Sequence, residues 1–354
     1  MQRKPTRKIS VGSVSVGGNS PISLQSMTST YTHDINNTIK QIQELEGLGC
    51  DIIRVAIPDE RSAKALCEIK KGISIPIIGD IHFDYKLAIM AIEQGRADGI
   101  RINPGNIGSL DKIKAILDKA KEYQIPVRIG INSGSLEKDI LLEHGKANAN
   151  ALVESALKNI RIFEKLNFKN FKISIKSSEV LTTINAYKML SDVVDYPLHL
   201  GITEAGTSFS GTIKSAVGIG ALLSEGIGDT IRVSLTDHPR EEIRVGLEIL
   251  KALGLRKDGV EIISCPTCGR CNIDLVNIAK EVQKKTSTIN KNIKIAIMGC
   301  VVNGPGEAKE ADIGVAGGSG VGVIFKKGKI IKKIKEDEIV EELLKQIEKF
   351  AIEK

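Results

Sequence analysis

The sequence predicts an α/β fold, a (β/α)8 TIM barrel followed by a smaller α+β domain, and three observations carry that expectation. Between Ile22 and Leu235, eight short apolar or β-branched runs alternate with longer segments of helical period. The alternation stops near Arg256. Beyond that point three of the six cysteines fall within seven residues, and a fourth follows later.

The eight runs, in order, are Ile22–Met27, Asp51–Ile57, Ile75–Ile81, Asp98–Pro104, Pro126–Asn132, Phe171–Lys176, Pro197–Thr203 and Thr230–Leu235. Polar residues stand near or just beyond the end of each. The connecting segments, such as TIKQIQELEGLG, SLDKIKAILDKAKEY and ANALVESALKNIRIFEKL, repeat apolar residues at three- and four-residue spacing and read as helices. Eight such units in roughly 250 residues match the length and rhythm of a TIM barrel. A doubly wound open sheet fits less well, because no G-x-G-x-x-G follows the first run. Residues 1–255 are therefore assigned to the barrel and 256–354 to the second domain. That domain reads as CPTCGRC, a helix over Ile273–Lys285, a strand IKIAIMGC, a loop VVNGPGE and a strand DIGVAG. A hairpin turning near Gly328 and a charged helix from Glu336 to Lys354 complete it.

Composition narrows the function. Apolar residues reach 42% and charged residues only 26%, which supports a large packed core and excludes disorder. Aromatics are 3% with no Trp, too few for a base-stacking surface, so no nucleic-acid partner is expected. The net charge of +7 names no partner. The basic lead MQRKPTRKISVGSV lacks the apolar run of a signal peptide, and no stretch approaches the ~18 apolar residues of a membrane span. A cytoplasmic location without membrane attachment is the expectation. Clustered thiols there are metal or redox groups rather than disulfides.

In a TIM barrel the C-terminal ends of the strands carry the chemistry. This chain places Arg54, Asp80, His82, Arg101, Asn103, Arg128, Asn132, Lys176, His199, Glu204, Arg232 and Ser234 there. Strand alternation puts Arg101 with Asn103, Arg128 with Asn132, and Arg232 with Ser234 on shared faces. Four arginines and a lysine with few carboxylates call for a polyanion, and guanidinium forks match phosphate. A small diphosphorylated molecule fits best. The competing reading of any one arginine is an outward side chain paired with a helix carboxylate, and of His82 or His199 a hydrogen-bonded core histidine. Glu204 ends a strand in ITEAGTS, where a carboxylate beside a basic pocket serves as general acid or base; a helix N-terminal carboxylate is its plainer reading. The turns NPGNIGS and SGS offer backbone N–H groups to phosphate, or only turn the chain.

Cys265, Cys268 and Cys271 form C-x2-C-x2-C, and Cys300 follows 29 residues after Cys271. Zinc ribbons normally use two separated C-x2-C knuckles, whereas a compact run plus a remote Cys favours iron–sulfur ligation and leaves zinc open. Asn303 and Glu307 lie just beyond Cys300, and a carboxylate can replace one thiolate. Cys50 and Cys67 read as core residues.

The motifs QSMTST, IRVAIPD, GDIHFDY, RINPGNIG, GINSGSLEKD, HLGITEAG, SEGIGDTIRVSL, CPTCGR and GCVVNGPGEA, in this order along nearly the whole chain, closely resemble the 4-hydroxy-3-methylbut-2-enyl diphosphate synthase family, in its two-domain bacterial form. The resemblance implies reductive ring opening and dehydration of 2-C-methyl-D-erythritol 2,4-cyclodiphosphate in the non-mevalonate isoprenoid pathway. It also implies a [4Fe–4S] cluster on Cys265, Cys268, Cys300 and Glu307, fed by ferredoxin or flavodoxin, with Cys271 a bystander. Arg54, Arg101, Arg128 and Lys176 would hold the phosphates, Asn103, Asn132 and Ser234 would add polar contacts, Asp80 and His82 would sit beside them, and Glu204 would be the acid/base group. A homodimer is implied, in which one subunit's cluster domain caps the other's barrel. Two alternatives use the same residues: a redox-neutral TIM-barrel lyase or aldolase with a structural zinc, and a non-enzymatic iron sensor, against which the polar strand ends argue.

Overall fold

The computed structural model describes residues 2–257, 259–286, 289, 291–300 and 309–353. By its contacts the chain forms two compact units, Met1–Leu255 and Arg256–Lys354.

The first unit opens with a hairpin of β1 (Ile9–Val11) and β2 (Val14–Val16). Eight parallel strands follow: β3 (Ser23–Met27), β4 (Ile52–Ala56), β5 (Ile77–Ile81), β6 (Gly99–Ile102), β7 (Val127–Asn132), β8 (Phe171–Lys176), β9 (His199–Leu200) and β10 (Thr230–Ile231). They are ordered β8-β7-β6-β5-β4-β3-β10-β9, and a parallel bridge from Ile173 to Leu198 joins the two ends. The barrel read from the sequence is the barrel observed, with its last two strands reduced to two residues each.

Strand alternation divides the unit into two environments. Outward residues such as Ile53, Val55, Ile77, Ile81, Ile129 and Ile173 pack beneath the helices in one continuous core. Several of those helices start on an Asx cap that satisfies a free N–H: Asp34 accepts from Asn37, Asp59 from Ser62 and Asn148 from Ala151. Inward residues begin as an apolar floor, where Ile52 and Ile78 pack on Ile9, Val11 and Val16 of the hairpin. The lead segment, given no element from its basic composition, thus closes the bottom of the barrel. Above that floor the lumen becomes polar.

The second unit is a five-stranded sheet of β11 (Val260–Ser264), β12 (Ile293–Met298), β13 (Ile313–Gly318), β14 (Val321–Lys326) and β15 (Lys329–Lys335), in that spatial order. The first three strands are parallel, and the last two add antiparallel. Helices Leu275–Thr286 and Ile339–Glu353 bury Val282, Leu343 and Ile347 against Ile293, Ile295, Val315 and Ile324. The expected turn is Lys327-Gly328, both at positive φ (48° and 74°), as a two-residue hairpin requires. β11 is the strand the sequence reading passed over.

Candidate functional site

Lateral pairing builds the polar lumen one tier at a time. Asp80 of β5 is in register with Arg101 of β6, Arg101 with Arg128 of β7, and Arg128 with Lys172 of β8. Neighbours in register point to one side, so these four side chains share the lumen. All four are deeply buried, with relative exposures of 3%, 4%, 2% and 2%. A higher tier pairs Asn132 with Lys176. Two lumen glycines make room for the cations, since a methyl group at Gly130 would run into the Arg101 guanidinium and one at Gly201 into the Lys176 ammonium.

Asp80 organises the cluster. Arg101 Nη1 donates to its Oδ1 at 3.2 Å, Arg54 Nη1 lies 3.7 Å from Oδ2, and His82 Nε2 is 3.3 Å from Oδ2. Burial works against ionising this carboxyl, but Arg54, the His82 hydrogen bond, Arg101 and Arg128 outweigh it and hold Asp80 well below the ordinary carboxylate range. Arg54 also donates Nη2 to Met27 Sδ at 3.1 Å, and Arg101 Nη2 to the Gly130 carbonyl at 3.3 Å.

The cations exceed what Asp80 can balance. Burial, despite help from Asp80, brings Arg54 down to about 10. Burial followed by repulsion from Arg54 and Arg101 pushes Arg128 well below its ordinary value, and burial with Arg128, Arg232, Arg54 and Arg101 does the same to Lys176. The Nε atoms of Arg54, Arg101 and Arg128 are buried without a hydrogen-bond partner. Such a cluster is stabilised by an anion of two or more charges, because its Coulomb repulsion is otherwise met chiefly by Asp80, with Glu242, already paired to Arg232, adding a weaker pull on Arg54.

At the rim, a cavity of about 200 Å³ is lined by His82, Arg101, Asn103, Asn106, Asn132, Gly134, Ser135, Thr203 and Glu204. Asn103 caps the short helix Pro104–Ile107 through Gly105 N at 3.2 Å and donates Nδ2 to Ser135 Oγ at 2.8 Å, so the NPGNIGS and SGS turns meet here. Glu204 is exposed and sits at φ 52°, a left-handed conformation rare for a carboxylic residue and concentrated at functional sites.

Most of the expected residues thus come together: Arg54, Asp80, His82, Arg101 and Arg128 in one cluster, Asn103, Asn132 and Glu204 around the cavity above it, and Lys176 within Coulomb reach. Two others have different partners. Arg232 forks onto Glu242 of the helix Pro239–Ala252, Nη2 to Oε1 at 3.1 Å and Nε to Oε2 at 3.3 Å, the helix-carboxylate pairing considered for any one arginine. His199 is a fully buried core histidine hydrogen-bonded through Nδ1 to Thr230 Oγ1. Ser234 is half-buried and does not line the cavity. Lys172 was missed, although its spacing of four from Lys176 on one strand puts both on the same face.

In the second unit, Cys265 follows β11 and Gly299–Cys300 follows β12, two parallel strands in register from Ser264 to Ile297, so these cysteines leave the same edge of the sheet. Gly299 N donates to Cys265 Sγ at 3.2 Å. Cys268 is exposed, and the Arg270 backbone N–H, opposed by slight desolvation and assisted by the Arg270 side chain, lowers its thiol below the ordinary range. Cys271 Sγ donates to the Ile273 carbonyl at 3.3 Å, and both Cys265 and Cys271 pack against the domain core. All six cysteines are free thiols, Cys50 buried and Cys67 half-buried. Asn303 and Glu307 lie outside the described residues. Exposed and half-buried thiols at a sheet edge, one accepting from a backbone N–H, fit an iron–sulfur ligand set.

Comparison with known proteins follows this division. The GcpE TIM-barrel domain matches residues 6–247 and the GcpE protein C-terminal domain residues 261–349. The 4-hydroxy-3-methylbut-2-en-1-yl diphosphate synthase (flavodoxin) of Caldanaerobacter subterraneus subsp. tengcongensis is 63% identical over 351 residues, 99% of each chain. That of Clostridium perfringens is 60% identical over 98% of this chain and 99% of its own. Among solved structures, the N-acetylneuraminic acid synthetase of Leptospira borgpetersenii serovar Hardjo-bovis covers 72% of this chain and 91% of its own with a TM-score of 0.51 and 14% identity, a likeness of fold alone. With both domain models matched in order and full-length relatives this similar, the chain belongs to the GcpE family.

Proposed function

We propose that this chain catalyses the reductive ring opening of 2-C-methyl-D-erythritol 2,4-cyclodiphosphate to 4-hydroxy-3-methylbut-2-enyl diphosphate, the product that the names of its relatives carry. The observation that carries the reading is the buried cation cluster of Arg54, Arg101, Arg128 and Lys176 around one carboxylate, a receptor for a compact polyanion. These four hold the diphosphate. Asp80 fixes the guanidinium forks, and His82, Asn103 and Asn132 orient the ligand at the rim. Ser234 is a further contact once the ligand fills the mouth.

The overall change takes two electrons and two protons and releases one water. Glu204 is the group proposed to deliver a proton to the departing oxygen, because it borders the same cavity as Arg101 and is reachable from solvent. Cys265, Cys268, Cys300 and Glu307 would hold a [4Fe–4S] cluster, which when bound supplies electrons and a Lewis-acidic iron to the carbon–oxygen bond being broken. The relatives' names favour flavodoxin over ferredoxin as donor. The proposed compartment is the cytoplasm, where thiols stay reduced; among the described residues no helix is long and apolar enough to cross a membrane.

A homodimer is also proposed. Phe209, Ile213 and Val217 recur every four residues on the exposed face of helix Ser208–Ser224. The adjacent helix Val180–Val193 exposes Leu181, Met189 and Val193, four or eight residues apart. Two neighbouring apolar stripes of this kind suit a self-complementary contact between copies.

Protein purified without oxygen is expected to be brown, to absorb near ~400 nm and to contain iron and inorganic sulfide in equal amounts. A colourless, zinc-containing protein with full turnover would instead support a redox-neutral lyase with a structural metal.

A further inference from the structure

Lys172 lies beneath the cations that the proposed function uses. It is 2% exposed, in register with Arg128, and its Nζ has no hydrogen-bond partner. An ammonium in such a place is costly unless something neutralises the charges beside it. The groups that face it are known on each side. Arg128 of β7 and Arg54 of β4 repel its charge. Asp229, before β10, attracts it but is already held by Arg3, Thr6 and the Leu198 N–H. His199 of β9, its Nε2 also unpartnered, is itself kept neutral by burial and by the cations Arg128, Lys176 and Lys172. Gln25 and Ser23 add further side-chain atoms without partners, so the lower lumen is a polar chamber rather than the apolar layers usual for a TIM barrel.

Burial, then Arg128 and Arg54, bring Lys172 down to about 7. It is therefore poised between its two forms at neutrality. An anion held by Arg128 and Arg54 cancels the two charges that oppose protonation of Lys172. Protonation of the base then goes to completion when the mouth is filled.

We propose that Lys172 is the proton-accepting base of the anion mouth, uncharged in part when the barrel is empty and fully charged when a diphosphate is bound. The step is a plain protonation: solvent gives up a proton, the Nζ lone pair accepts it, and no electron moves. It adds a positive charge to the receptor on demand and spares the empty barrel that charge. The inference rests on the mouth being a diphosphate site.

The test is calorimetric titration of the full-length holoprotein, without reductant, with the cyclic diphosphate, in buffers of different ionisation enthalpy. Each phosphorus of this ligand carries one strongly acidic oxygen, so the ligand has no titrating group near neutrality. Near pH 8 the parent is expected to take up about one more proton per ligand than Lys172→Met, the difference vanishing near pH 6. Lys176 faces the same cations and is lowered by them in both proteins, so the comparison is differential: between about pH 7 and about pH 8.5 parent affinity should fall about tenfold more than that of Lys172→Met. Equal proton uptake and equal pH dependence in the two proteins overturn the proposal, provided Arg101→Met has lost binding. If Arg101→Met binds as the parent does, the reading of the mouth itself is what fails.

A measurement without ligand tests the same residue independently. A lysine whose folded pKa is depressed makes the unfolded state bind more protons between about pH 7 and about pH 10.4, so its presence costs stability below that window and the cost fades as pH rises through it. Lys172→Met is thus expected to be at least as stable as the parent near pH 7, with the gap closing toward pH 10. A collapse of stability in Lys172→Met makes the residue a structural one and also overturns the proposal.

Discussion

Arg101→Met is expected to lose binding of the cyclic diphosphate while remaining folded. The guanidinium is buried at 4% exposure, shares Asp80 with Arg54 and His82, and lines the cavity where the ligand enters. Removing one member of a buried, hydrogen-bonded charge cluster typically costs about 2–5 kcal/mol, which corresponds to roughly thirtyfold to several thousandfold in affinity. The change also removes one of the cations that keep Asp80 ionised, so the acid limb of the binding profile should shift to higher pH. The sign follows from linkage: a carboxyl with a depressed folded pKa contributes above its unfolded value and loses that contribution as pH falls through its folded value. Weakening the depression moves that loss upward. Titration calorimetry at several pH values reads both effects, and unchanged affinity would remove Arg101 from the receptor.

The second large effect concerns the two halves of the chemistry. Cys300→Ala removes a proposed cluster ligand and Glu204→Gln a proposed proton donor, and each alone is expected to lower turnover by about 10²-fold or more. Barrel residues and cysteines belong to different units of the chain. If a site is completed between two copies, a heterodimer of the two variants has one intact barrel facing one intact cluster domain and regains activity at one of its two sites. If each site is built within a single chain, every site in the heterodimer carries one defect. Activity of purified, verified heterodimers decides between these, and no recovery would remove the shared-site arrangement.

Much of this was legible in the sequence for identifiable reasons. Strands such as Phe171–Lys176 and Val127–Asn132 stand out because isoleucine and valine alternate with lysine, arginine and glycine, and that alternation is the difference between core face and lumen. Arg101 and Arg128 were conspicuous as charges inside apolar runs. Lys172 was equally placed, one residue into its strand, and drew no notice because a lysine near a strand end is ordinarily solvated. The hairpin at Ile9–Val16, which packs on the lumen residues Ile52 and Ile78, is likewise too short and too close to basic residues to announce itself. The pairing of Arg232 with Glu242 depends on a helix folding back over β3, a tertiary contact with no local signature. Glu204 announced itself by position only; its left-handed backbone could not be read from its residue type.

The central claim is that the cationic barrel receives a cyclic diphosphate and that the chain opens it reductively. Its most direct test is anaerobic turnover of 2-C-methyl-D-erythritol 2,4-cyclodiphosphate by the cluster-replete protein with reduced flavodoxin, followed by phosphorus magnetic resonance together with a count of oxidised donor. The account predicts a linear diphosphate product, with two electrons consumed per molecule and no product when the donor is left out. Ring opening without the donor, or an unchanged cyclic diphosphate in the presence of protein with a full complement of iron and sulfide, would contradict it.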